Sequence, residues 1–439
     1  MSLESRLLEV LHPWRSAPRW CVAFSGGLDS TVLLHLLARL AAREQLPAIS
    51  AIHIHHGLQA VADGWPAHCQ SVCEMLGVEL QVVRVRVEPG PSVEREAREA
   101  RYAAFSEQLG ASAVLLTAQH RDDQAETVLF RLLRGAGVRG LVGMPATRAL
   151  GSGWLVRPFL NASRAELMDY AQAHGLVWID DPSNLCTEHA RNYLRKEVMP
   201  LLQQRWPSAT SSMARAAAHL AEAQQLLDEL AENDLKEARR EGDHPSLAIP
   251  NLSLSALTRL SPARQRNALR HWLAARTPLP DSDHWVGWDS LRDAAADATP
   301  IWRLASGELH RGNGRIWWLS GPWLVRPSGS VDWLRPEIPL QLPGNGTLRL
   351  AGDYVKGPLQ VRYRRGGESL ILPVRGKRDL KRLLNEIAMP GFVRSRLPLL
   401  YRGDELIAVA NLPQLSIQSV SLIWVPPADA RFELMGSFE

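Results

Sequence analysis

Residues 20–36 read WCVAFSGGLDSTVLLHL, and this stretch decides the fold of the first half of the chain. The apolar run at 20–24 predicts a buried parallel strand, and the apolar spacing that follows predicts a helix over 30–43. The turn between them leaves N–H groups of the helix N-terminus unpaired, and two adjacent glycines let the backbone approach an anion closely. Residues 25–30, SGGLDS, are therefore predicted to bind phosphate.

A plainer interpretation of the same residues is a glycine-rich turn in which Ser30 caps the helix. Asp29 argues against it, because a carboxylate repels a neighbouring phosphate unless a cation lies between them. The stretch therefore also predicts a Mg²⁺ site at Asp29. The sequence contains no GxxxxGK[ST] motif, so this phosphate loop is not of the Walker A type.

The composition is typical of a soluble globular protein with two or three domains. Of the 439 residues, 46% are hydrophobic and 22% are charged. No apolar run approaches the roughly 18 residues that cross a membrane, and the N-terminal MSLESRLLEVLHPW has acids among its leucines, unlike a signal peptide. Four cysteines are too few for a disulfide framework at this length. We therefore expect a cytoplasmic protein without a membrane partner.

Positive charge is concentrated in two separate regions, although the net charge is only +4. Residues 128–165 contain six arginines and no acid, and residues 356–396 contain eleven Lys or Arg against three Asp or Glu. Two separated basic regions suit a long polyanion better than a small ligand. The distribution is therefore consistent with a nucleic-acid partner.

Strand patterns alternate with helix patterns in the first half of the chain. The predicted strands are at 20–24, 48–53, 79–87, 113–120 and 154–158. This alternation predicts an α/β domain with a doubly wound, mostly parallel sheet, whose ligands bind beyond the carboxyl ends of the strands. An α-rich middle domain and a small α+β C-terminal domain are predicted to follow. The predicted limits are 1–207 for the catalytic domain, 208–240 for a connecting helix, 241–335 for the middle domain and 336–439 for the basic C-terminal domain.

A second set of polar residues follows a predicted strand within TAQHRDDQAET, residues 117–127. His120 ends the strand, and Asp123 and Glu126 share one helix face because they are three residues apart. Acids at the start of a helix also stabilise its dipole, which is the plainer interpretation. Because Asp29 is predicted at the same sheet edge, we favour a site in which these carboxylates hold magnesium or a cationic substrate.

Three other stretches each have two interpretations. WIDDPSN at 178–184 is either a turn or part of the site, and RNYLR at 191–195 is either a solvated helix face or a set of ligand contacts. The arginine- and glycine-rich RLLRGAGVRGLVGM at 131–144 is either a mobile lid or a phosphodiester contact.

Histidine, cysteine and tryptophan residues are assigned mainly to structure. His53, His55 and His56 lack further zinc ligands at suitable spacing, so we expect them to line the nucleotide crevice. Cys69 and Cys73 are four residues apart and are expected to be helix-face or core thiols. The 15 tryptophans lie mostly on alternating patterns, which favours core positions over base stacking.

These motifs together resemble one family over nearly the whole chain. SGGLDS resembles the PP-loop of the ATP pyrophosphatases, which cleave ATP between the α- and β-phosphates. The wider pattern is similar to that of the tRNA(Ile)-lysidine synthetases. It comprises SGGLDSTVLLH (25–35), AIHIHHGL (51–58), EREAREARYAAF (94–105), TAQHRDDQAETVLFRLLRG (117–135), GLVGM (140–144), DDPSN (180–184), RNYLR (191–195) and GKRDLKRLLNEIAMPGFVRSRLPLL (376–400).

The resemblance implies a two-step reaction on a PP-loop, adenine nucleotide α-hydrolase-like domain. ATP, with Mg²⁺, first adenylates the C2 oxygen of the wobble cytidine in an isoleucine tRNA with a CAU anticodon. The ε-amine of free L-lysine then attacks C2 and expels AMP, which gives lysidine and changes codon reading from AUG to AUA. The resemblance leaves the oligomeric state open, with a homodimer as one option.

The resemblance also suggests roles for individual residues. The candidate catalytic residues are Asp29, His120, Asp123 and Glu126. Those expected to bind ATP are Ser25, Gly26, Gly27, Leu28, Asp29, Ser30 and His53, with Mg²⁺ at Asp29. Those expected to bind lysine are Asp123, Glu126 and Asn184. Those expected to bind tRNA are Arg101, Arg134, Arg139, Arg191, Asn192, Arg195, Lys377, Arg378, Lys381 and Arg382, the last four on one basic helix.

Three other functions compete with this one. A tRNA thiolase would need a reactive cysteine pair or an iron–sulfur site, and the spacing of Cys69 and Cys73 is wrong for that. A small-molecule amide synthetase would leave the basic C-terminal domain without a use. A non-catalytic tRNA-binding protein would not need the intact set of Ser25, Asp29 and Glu126.

Overall fold

The computed structural model describes most of the chain. The described residues are 2–57, 60–87, 93–182, 187, 189–240, 249–280, 282–295, 298–352, 358–372, 376–387, 389–416 and 420–427. They form two compact units, Met1–Gln225 and Leu226–Glu439, and the boundary lies within helix α10, Ala209–Arg240. The predicted domain limits at 1–207, 208–240, 241–335 and 336–439 stay predictions. In the described part of the chain, no helix combines the length and the apolar character needed to cross a membrane.

A six-stranded sheet organises the first unit. Its strands are β1 (Arg19–Ala23), β2 (Ala48–His55), β3 (Glu79–Arg84), β4 (Val114–Leu116), β5 (Thr147–Leu150) and β6 (Gly153–Val156). The order is β3-β2-β1-β4-β6-β5, and all neighbours are parallel except β5 and β6. The predicted mostly parallel sheet is therefore confirmed. The sequence did not reveal β5, because this four-residue edge strand buries only Leu150.

Helices cover both faces of this sheet. They are α1 (Leu3–Leu11), α2 (Leu28–Ala41), α3 (Trp65–Leu76), α4 (Val93–Gln108), α5 (Arg121–Leu133), α6 (Val138–Leu141), α7 (Arg164–Ala173), α8 (Ala190–Tyr193) and α9 (Met199–Arg205). Alternate residues of β1 face opposite ways, so Trp20 packs with α1, α2, α3 and α7, whereas Cys21 packs with the core beneath α4. Two separate cores on one sheet are what a doubly wound fold requires.

Helix α2 begins two residues earlier than the sequence predicts. Gly27 is its N-cap, and the N–H of Thr31 donates to the carbonyl of Gly27 at 3.0 Å. The hydroxyl of Ser30 also donates to this carbonyl, at 3.0 Å. Ser30 therefore lies inside the first turn, and the interpretation of Ser30 as the helix cap is wrong.

The middle of the chain combines helices with a sheet. Helices α11 (Leu254–Thr258), α12 (Pro262–Ala274) and α13 (Val286–Asp293) accompany strands β7 (Asn251–Ser253), β8 (Ile301–Leu304), β9 (Gly307–Gly312) and β10 (Arg315–Leu319) in the order β7-β10-β9-β8. Their core is rich in tryptophan, including Trp272, Trp288 and Trp318. Ten of the 15 tryptophans are buried, which confirms that most are core residues.

The last part of the chain is rich in strands. Its elements are β11 (Ser330–Trp333), β12 (Leu340–Leu342), β13 (Gly346–Gly352), β14 (Leu359–Arg362), β15 (Ser369–Leu372), β16 (Gly376–Asp379), α14 (Leu380–Glu386), α15 (Gly391–Arg394), β17 (Leu399–Arg402), β18 (Glu405–Val409) and β19 (Val420–Val425). They form a four-stranded sheet, a three-stranded sheet and a hairpin of β15 with β16.

The predicted placement of four basic residues on one helix is wrong. Lys377 and Arg378 lie in β16, where they pair with residues of β15, and only Lys381 and Arg382 lie on α14. The reason is Asp379, whose carboxylate accepts a hydrogen bond from the N–H of Arg382 at 3.0 Å and so fixes the start of the helix.

Candidate active site

The strand order places a crevice between the carboxyl ends of β1 and β4. From β1 the chain proceeds to β2 and β3 on one side, and then returns to β4 on the other side. Adjacent strands whose connections leave in opposite directions open a cleft, and ligands bind there. The segment 25–30 follows β1, and His120 follows β4. The two main motifs therefore meet at this crevice.

The loop after β1 has the backbone of a phosphate-binding turn. Gly26 adopts a φ of +82°, a conformation that favours glycine. Ser25 and Ser30 lie side by side, with 3.0 Å between their hydroxyl oxygens, and Ser25 also accepts from the N–H of Gly27 at 3.3 Å. The first N–H groups of α2, which begins at Leu28, have no partners within the helix and are free to face an anion.

A segment 150 residues further along the chain holds this loop in place. The N–H of Ile179 donates to the carbonyl of Gly26 at 2.9 Å. The indole of Trp178 donates to Asp180 at 3.2 Å within the same segment. The sequence allows the motif at 178–184 to be either a turn or part of the site, and the bond from Ile179 connects the start of this motif directly to the phosphate loop.

Gly26→Ala is expected to destabilise the protein and to weaken ATP binding. A Cβ at this position would lie 2.9 Å from Cδ1 of Ile179 and 3.0 Å from the sulfur of Cys69, and the positive φ adds about 1–2 kcal/mol of strain. Thermal unfolding and the KM for ATP would measure both effects. Gly27→Ala is the matched control for stability, since Gly27 has a φ of −77° and its nearest contact would be 3.5 Å away. An equal loss of stability in both variants would contradict this explanation.

Asp29 and His120 meet across the crevice. His120 is almost fully buried and caps α5: its ring Nδ1 accepts from the N–H of Asp123 at 3.4 Å, and its own N–H donates to the Asp123 carboxylate at 3.1 Å. Its Nε2 lies 3.6 Å from an oxygen of Asp29 and 3.4 Å from one of Asp123. Nε2 is buried between the two carboxylates without a hydrogen bond to either of them.

The surroundings of Asp29 fit a divalent cation. Burial raises the pKa of its carboxyl, although His120 and Arg164 act in the opposite direction. One oxygen, Oδ1, is buried without a hydrogen-bond partner. Among the described residues no cluster of three His, Cys, Asp or Glu side chains could hold a metal by itself. Mg²⁺ needs no such cluster, because it is usually held by one or two carboxylates together with substrate phosphates and water.

Arg164 is a site residue that the sequence interpretation missed. Its guanidinium lies 3.5 Å from the Asp29 carboxylate, and the backbone N–H of Arg164 donates to the Asp122 carboxylate at 2.9 Å. It begins α7 next to the Ser163–Glu166 capping box. The capping pattern marked a helix start in the sequence, but nothing in it indicated a neighbour more than 130 residues away.

Asp123 and Glu126 form the second half of the site, together with two arginines. Arg195 donates to Glu126 at 2.6 and 2.9 Å and to Asp123 at 2.7 Å. Arg191 donates to Glu126 at 3.3 Å and lies 3.5 Å from Asp123. Glu126 is 3% exposed, so its charge depends on these partners. The structure thus joins two residues predicted to bind lysine with two predicted to bind tRNA.

The electrostatics of this cluster keep Arg195 charged. Burial alone would lower the pKa of Arg195, but its hydrogen bond to Glu126 and the charges of Glu126 and Asp123 raise it above the usual value. Both carboxylates therefore lie beside a permanent cation. A cationic group can bind them only by sharing them with the arginines or by displacing an arginine.

The other predicted site residues occupy varied positions. His53 is buried and its Nδ1 donates to the carbonyl of Phe24 at 2.9 Å, while burial lowers its pKa and keeps the ring neutral. Arg101 lies on α4 and half-buried Asn192 on α8. Asn184 lies outside the described residues.

The glycine-rich loop at 140–144 is tied to α5. Gln124 donates to the carbonyl of Met144 at 3.0 Å and accepts from its N–H at 2.7 Å. Arg131 donates to the carbonyls of Gly140 and Gly143, both at 2.8 Å. These bonds favour a fixed contact surface over a mobile lid, and they leave Arg134 and Arg139 exposed.

In the second unit, the basic residues predicted to bind tRNA are all exposed. They are Lys377, Arg378, Lys381 and Arg382. No ion pair joins any of the four to a carboxylate within the described ranges. Free cationic groups on an exposed surface are available to phosphates.

Known protein families match the chain in three successive segments. A PP-loop domain matches residues 1–202, a TilS substrate binding domain matches 252–317, and a TilS substrate C-terminal domain matches 359–417. The PP-loop match covers the crevice described above. The two other matches cover parts of the middle and strand-rich regions.

Curated relatives match over almost the full length. A tRNA(Ile)-lysidine synthase of Pseudomonas fluorescens (strain Pf0-1) is 63% identical over 429 residues, covering 97% of each chain. The enzyme of the same name from Escherichia coli O157:H7 is 41% identical over 400 residues, covering 89% of this chain and 91% of its own. Among solved structures, a U34-tRNA thiolase from Methanococcus maripaludis is 17% identical with a TM-score of 0.42, over 50% of this chain and 78% of its own.

Proposed function

Because the chain belongs to the tRNA(Ile)-lysidine synthase family, whose PP-loop domain serves ATP-dependent tRNA modification, we propose that it attaches free L-lysine to a tRNA. The acceptor is C2 of the wobble cytidine in an isoleucine tRNA with a CAU anticodon. ATP is the second substrate, and AMP and pyrophosphate are released. The observation that carries the proposal is the crevice itself, where Asp29 of the phosphate loop and Asp123 of α5 both approach His120 at the ends of two adjacent strands.

In the first step, the loop after β1 binds the triphosphate of ATP. Gly26 and the first turn of α2 present N–H groups, and Ser25 and Ser30 present hydroxyls. Asp29, with its unpaired Oδ1, would hold Mg²⁺, which neutralises phosphate charge when bound. The cytosine is read from an unpaired anticodon loop, where leaving the stack costs little. His53 lines the nucleotide side of the crevice.

In the second step, Asp123 and Glu126 bind the ammonium group of lysine. Attack on C2 requires a neutral amine, whose pKa is about 10.4 in water, so a nearby group must accept a proton. His120 is poorly placed for this, because its Nδ1 already accepts from the backbone N–H of Asp123 and its Nε2 is buried between two carboxylates. We therefore assign proton acceptance to a carboxylate, Asp123 or Glu126, and assign the orientation of Asp123 to His120. Asn184 stays a candidate lysine ligand outside the described residues.

Lysine can bind the two carboxylates only if an arginine partner moves away. Arg191 and Arg195 occupy both carboxylates in the free protein. We propose that the lysine ammonium takes one carboxylate position as an arginine turns toward phosphate. Arg191, Asn192 and Arg195 would then contact RNA or the adenylate, as Arg101, Arg134 and Arg139 are proposed to contact the RNA backbone.

The described cysteines argue against sulfur transfer. Burial raises the pKa of the Cys69 thiol to about 12 and that of Cys73 to about 11. A sulfur-transfer cysteine works as a thiolate and has a lowered pKa. Cys21, Cys69 and Cys73 are free thiols, in keeping with the proposed cytoplasmic location, and Cys186 lies outside the described residues. A homodimer stays a hypothesis.

Incorporation of labelled lysine into an isoleucine tRNA transcript with a CAU anticodon tests the proposal. We expect labelling that requires ATP and that is absent with methionine tRNA. AMP release stimulated by RNA but without lysine transfer would instead indicate another PP-loop tRNA modification. No AMP release at all would indicate a non-catalytic binder.

Charge reversal on α14 is expected to weaken tRNA binding without affecting lysine or ATP. Lys381→Glu or Arg382→Glu places an acid in the first turn of a helix, which suits the helix dipole and should preserve the fold. Each should weaken binding by roughly tenfold and flatten its dependence on salt. Titration of labelled tRNA at several salt concentrations measures this. Lys236→Glu, a change at an exposed position on α10, is the control. An equal loss of tRNA affinity in the α14 variants and in this control would show that α14 makes no specific contact with tRNA.

A further inference from the structure

Four arginines surround the ring of Tyr102 in the first unit. The guanidinium carbons of Arg98 and Arg148 lie 4.9 and 4.7 Å from the ring centroid, and that of Arg101 lies 6.0 Å from it. Arg157 acts on Tyr102 electrostatically and completes the group. We call Arg98, Arg101, Arg148, Arg157 and Tyr102 the arginine pocket.

The pocket is assembled from distant parts of the chain. Arg98, Arg101 and Tyr102 lie on α4, Arg148 lies on β5, and Arg157 directly follows the carboxyl end of β6. It is thus the point where the acid-free stretch 128–165 meets the motif at 94–105.

The charges in this pocket are not neutralised. Within the described residues, no ion pair joins any of its four arginines to a carboxylate, whereas Arg195 and Arg264 are paired in this way. Arg157 is 3% exposed; it donates to the carbonyl of Pro145 at 2.7 Å, but its Nε has no partner. A buried charge without a counter-ion destabilises a fold, so a purely structural role does not explain the arrangement.

The shifts in the pKa values of the pocket residues agree with a strongly positive pocket. Burial lowers the pKa of Arg157; Tyr102 opposes this shift, and Arg148 and Arg98 add to it. Burial alone would raise the pKa of the Tyr102 phenol, but Arg98, Arg157 and Arg101 bring it below its usual value. Arg101 is exposed, and its pKa is also lowered, chiefly by the protein packed around it. The pocket therefore favours negative charge.

The pocket lies next to the strand that leads to the proposed lysine site, because Arg157 follows β6 and β6 pairs with β4. Arg191, which pairs with Glu126, lies close enough to Arg101 to lower its pKa. Arg131, which anchors the loop at 140–144, is likewise affected by Arg98. An anion in the pocket would thus lie at the end of β6, next to the strand that leads to His120, whereas the phosphate loop follows β1.

We propose that the arginine pocket binds a phosphate of the RNA backbone close to the reacting cytidine. This deepens the proposed function, since it rests on RNA being the substrate and names the residues that hold the strand at the crevice. Arginine suits this task because its planar guanidinium matches the oxygens of a phosphate. The same chemistry would accept pyrophosphate, so the two sources must be distinguished by experiment.

Arg98→Gln and Arg148→Gln test the proposal, because both side chains reach the surface and neither supports the core. Binding of a labelled tRNA transcript is measured without ATP or lysine, at several salt concentrations. Each variant should bind roughly tenfold more weakly, and the slope of log Kd against log salt should fall by about 0.7–0.9 for each phosphate that the variant no longer neutralises. The thermal midpoint should be unchanged or higher, because repulsion between like charges is relieved. Arg43→Gln removes the same charge beyond the end of α2 and should leave binding unchanged.

A second measurement separates the two phosphate sources. Inhibition of AMP formation by added pyrophosphate should be the same in wild type and both variants. A weaker effect of pyrophosphate with unchanged tRNA binding would assign the pocket to the leaving group and overturn the proposal. Unchanged tRNA binding together with a lower thermal midpoint would also overturn it, in favour of a structural cluster. If the proposed lysine transfer itself failed, AMP formation and RNA binding would still report on the pocket.

Discussion

Asp29→Asn is expected to lower pyrophosphate release and lysine incorporation by roughly 10³-fold, a loss of about 4 kcal/mol of transition-state stabilisation. The replacement keeps the size of the side chain but removes the charge that would hold Mg²⁺ beside the triphosphate. Both steps fail together because the second consumes the product of the first. Release of pyrophosphate and transfer of labelled lysine, measured with saturating ATP, would show the loss.

The Asp29→Asn variant is expected to lose activity without losing folding stability, and this difference separates the proposed role from misfolding. The pKa of Asp29 is raised in the folded protein, so ionisation costs folding free energy once the pH exceeds the pKa of the unfolded chain. At neutral pH the uncharged Asn variant should therefore be at least as stable as the wild type. Asp169→Asn, at an exposed position on α7, is the control and should keep full activity. Normal pyrophosphate release by Asp29→Asn would exclude the role of Asp29.

Glu126→Gln is expected to raise the KM for lysine on the order of 100-fold while pyrophosphate release continues. Glu126 is almost fully buried, so the charge it would offer to an ammonium group is poorly screened. The amide removes that charge and also the proposed proton acceptor. Lysine KM, measured with pre-adenylated tRNA, separates this loss from any effect on the first step.

Glu126→Gln also weakens the bond to Arg195, and the resulting loss of folding stability needs its own control. Arg195 is 32% exposed and keeps Asp123, so we expect a cost of about 1–2 kcal/mol, less than that of breaking a fully buried pair. Asp234→Asn is the matched control for this stability cost. The Asp234 side chain is also 3% exposed and pairs with an arginine, Arg264, but it lies on α10, outside the proposed lysine site. It should lose similar stability and keep the lysine KM. A normal lysine KM in Glu126→Gln would disprove the lysine-binding role.

The arginine pair also explains how one crevice can serve two steps. In the free protein, Arg191 and Arg195 satisfy Asp123 and Glu126, which would otherwise repel both ATP and RNA. We propose that phosphate arriving at the crevice competes for the arginines, so that the carboxylates become available to a cation. Nucleotide and RNA would then bind before lysine.

Local patterns in the sequence determined the architecture of the first unit and the position of its site. Period-two and helical spacing marked most strands and helices, and parallel strands necessarily place segment 25–30 and His120 at one edge of the sheet. Spacing also placed Asp123 and Glu126 on one face of α5. These features depend on neighbours within a few residues, and the sequence therefore contains them.

Other features depended on contacts between distant segments, which only the tertiary structure decided. The hydrogen bond from Ile179 to Gly26, the pairing of Arg195 with Glu126 and the approach of Arg164 to Asp29 each join residues more than 60 positions apart. Such contacts depend on strand order and crossover geometry, and local spacing carries no signal for either. The same reason applies to the arginine pocket, since only the packing of α4 against the β5–β6 hairpin brings Arg98 and Arg148 to one ring.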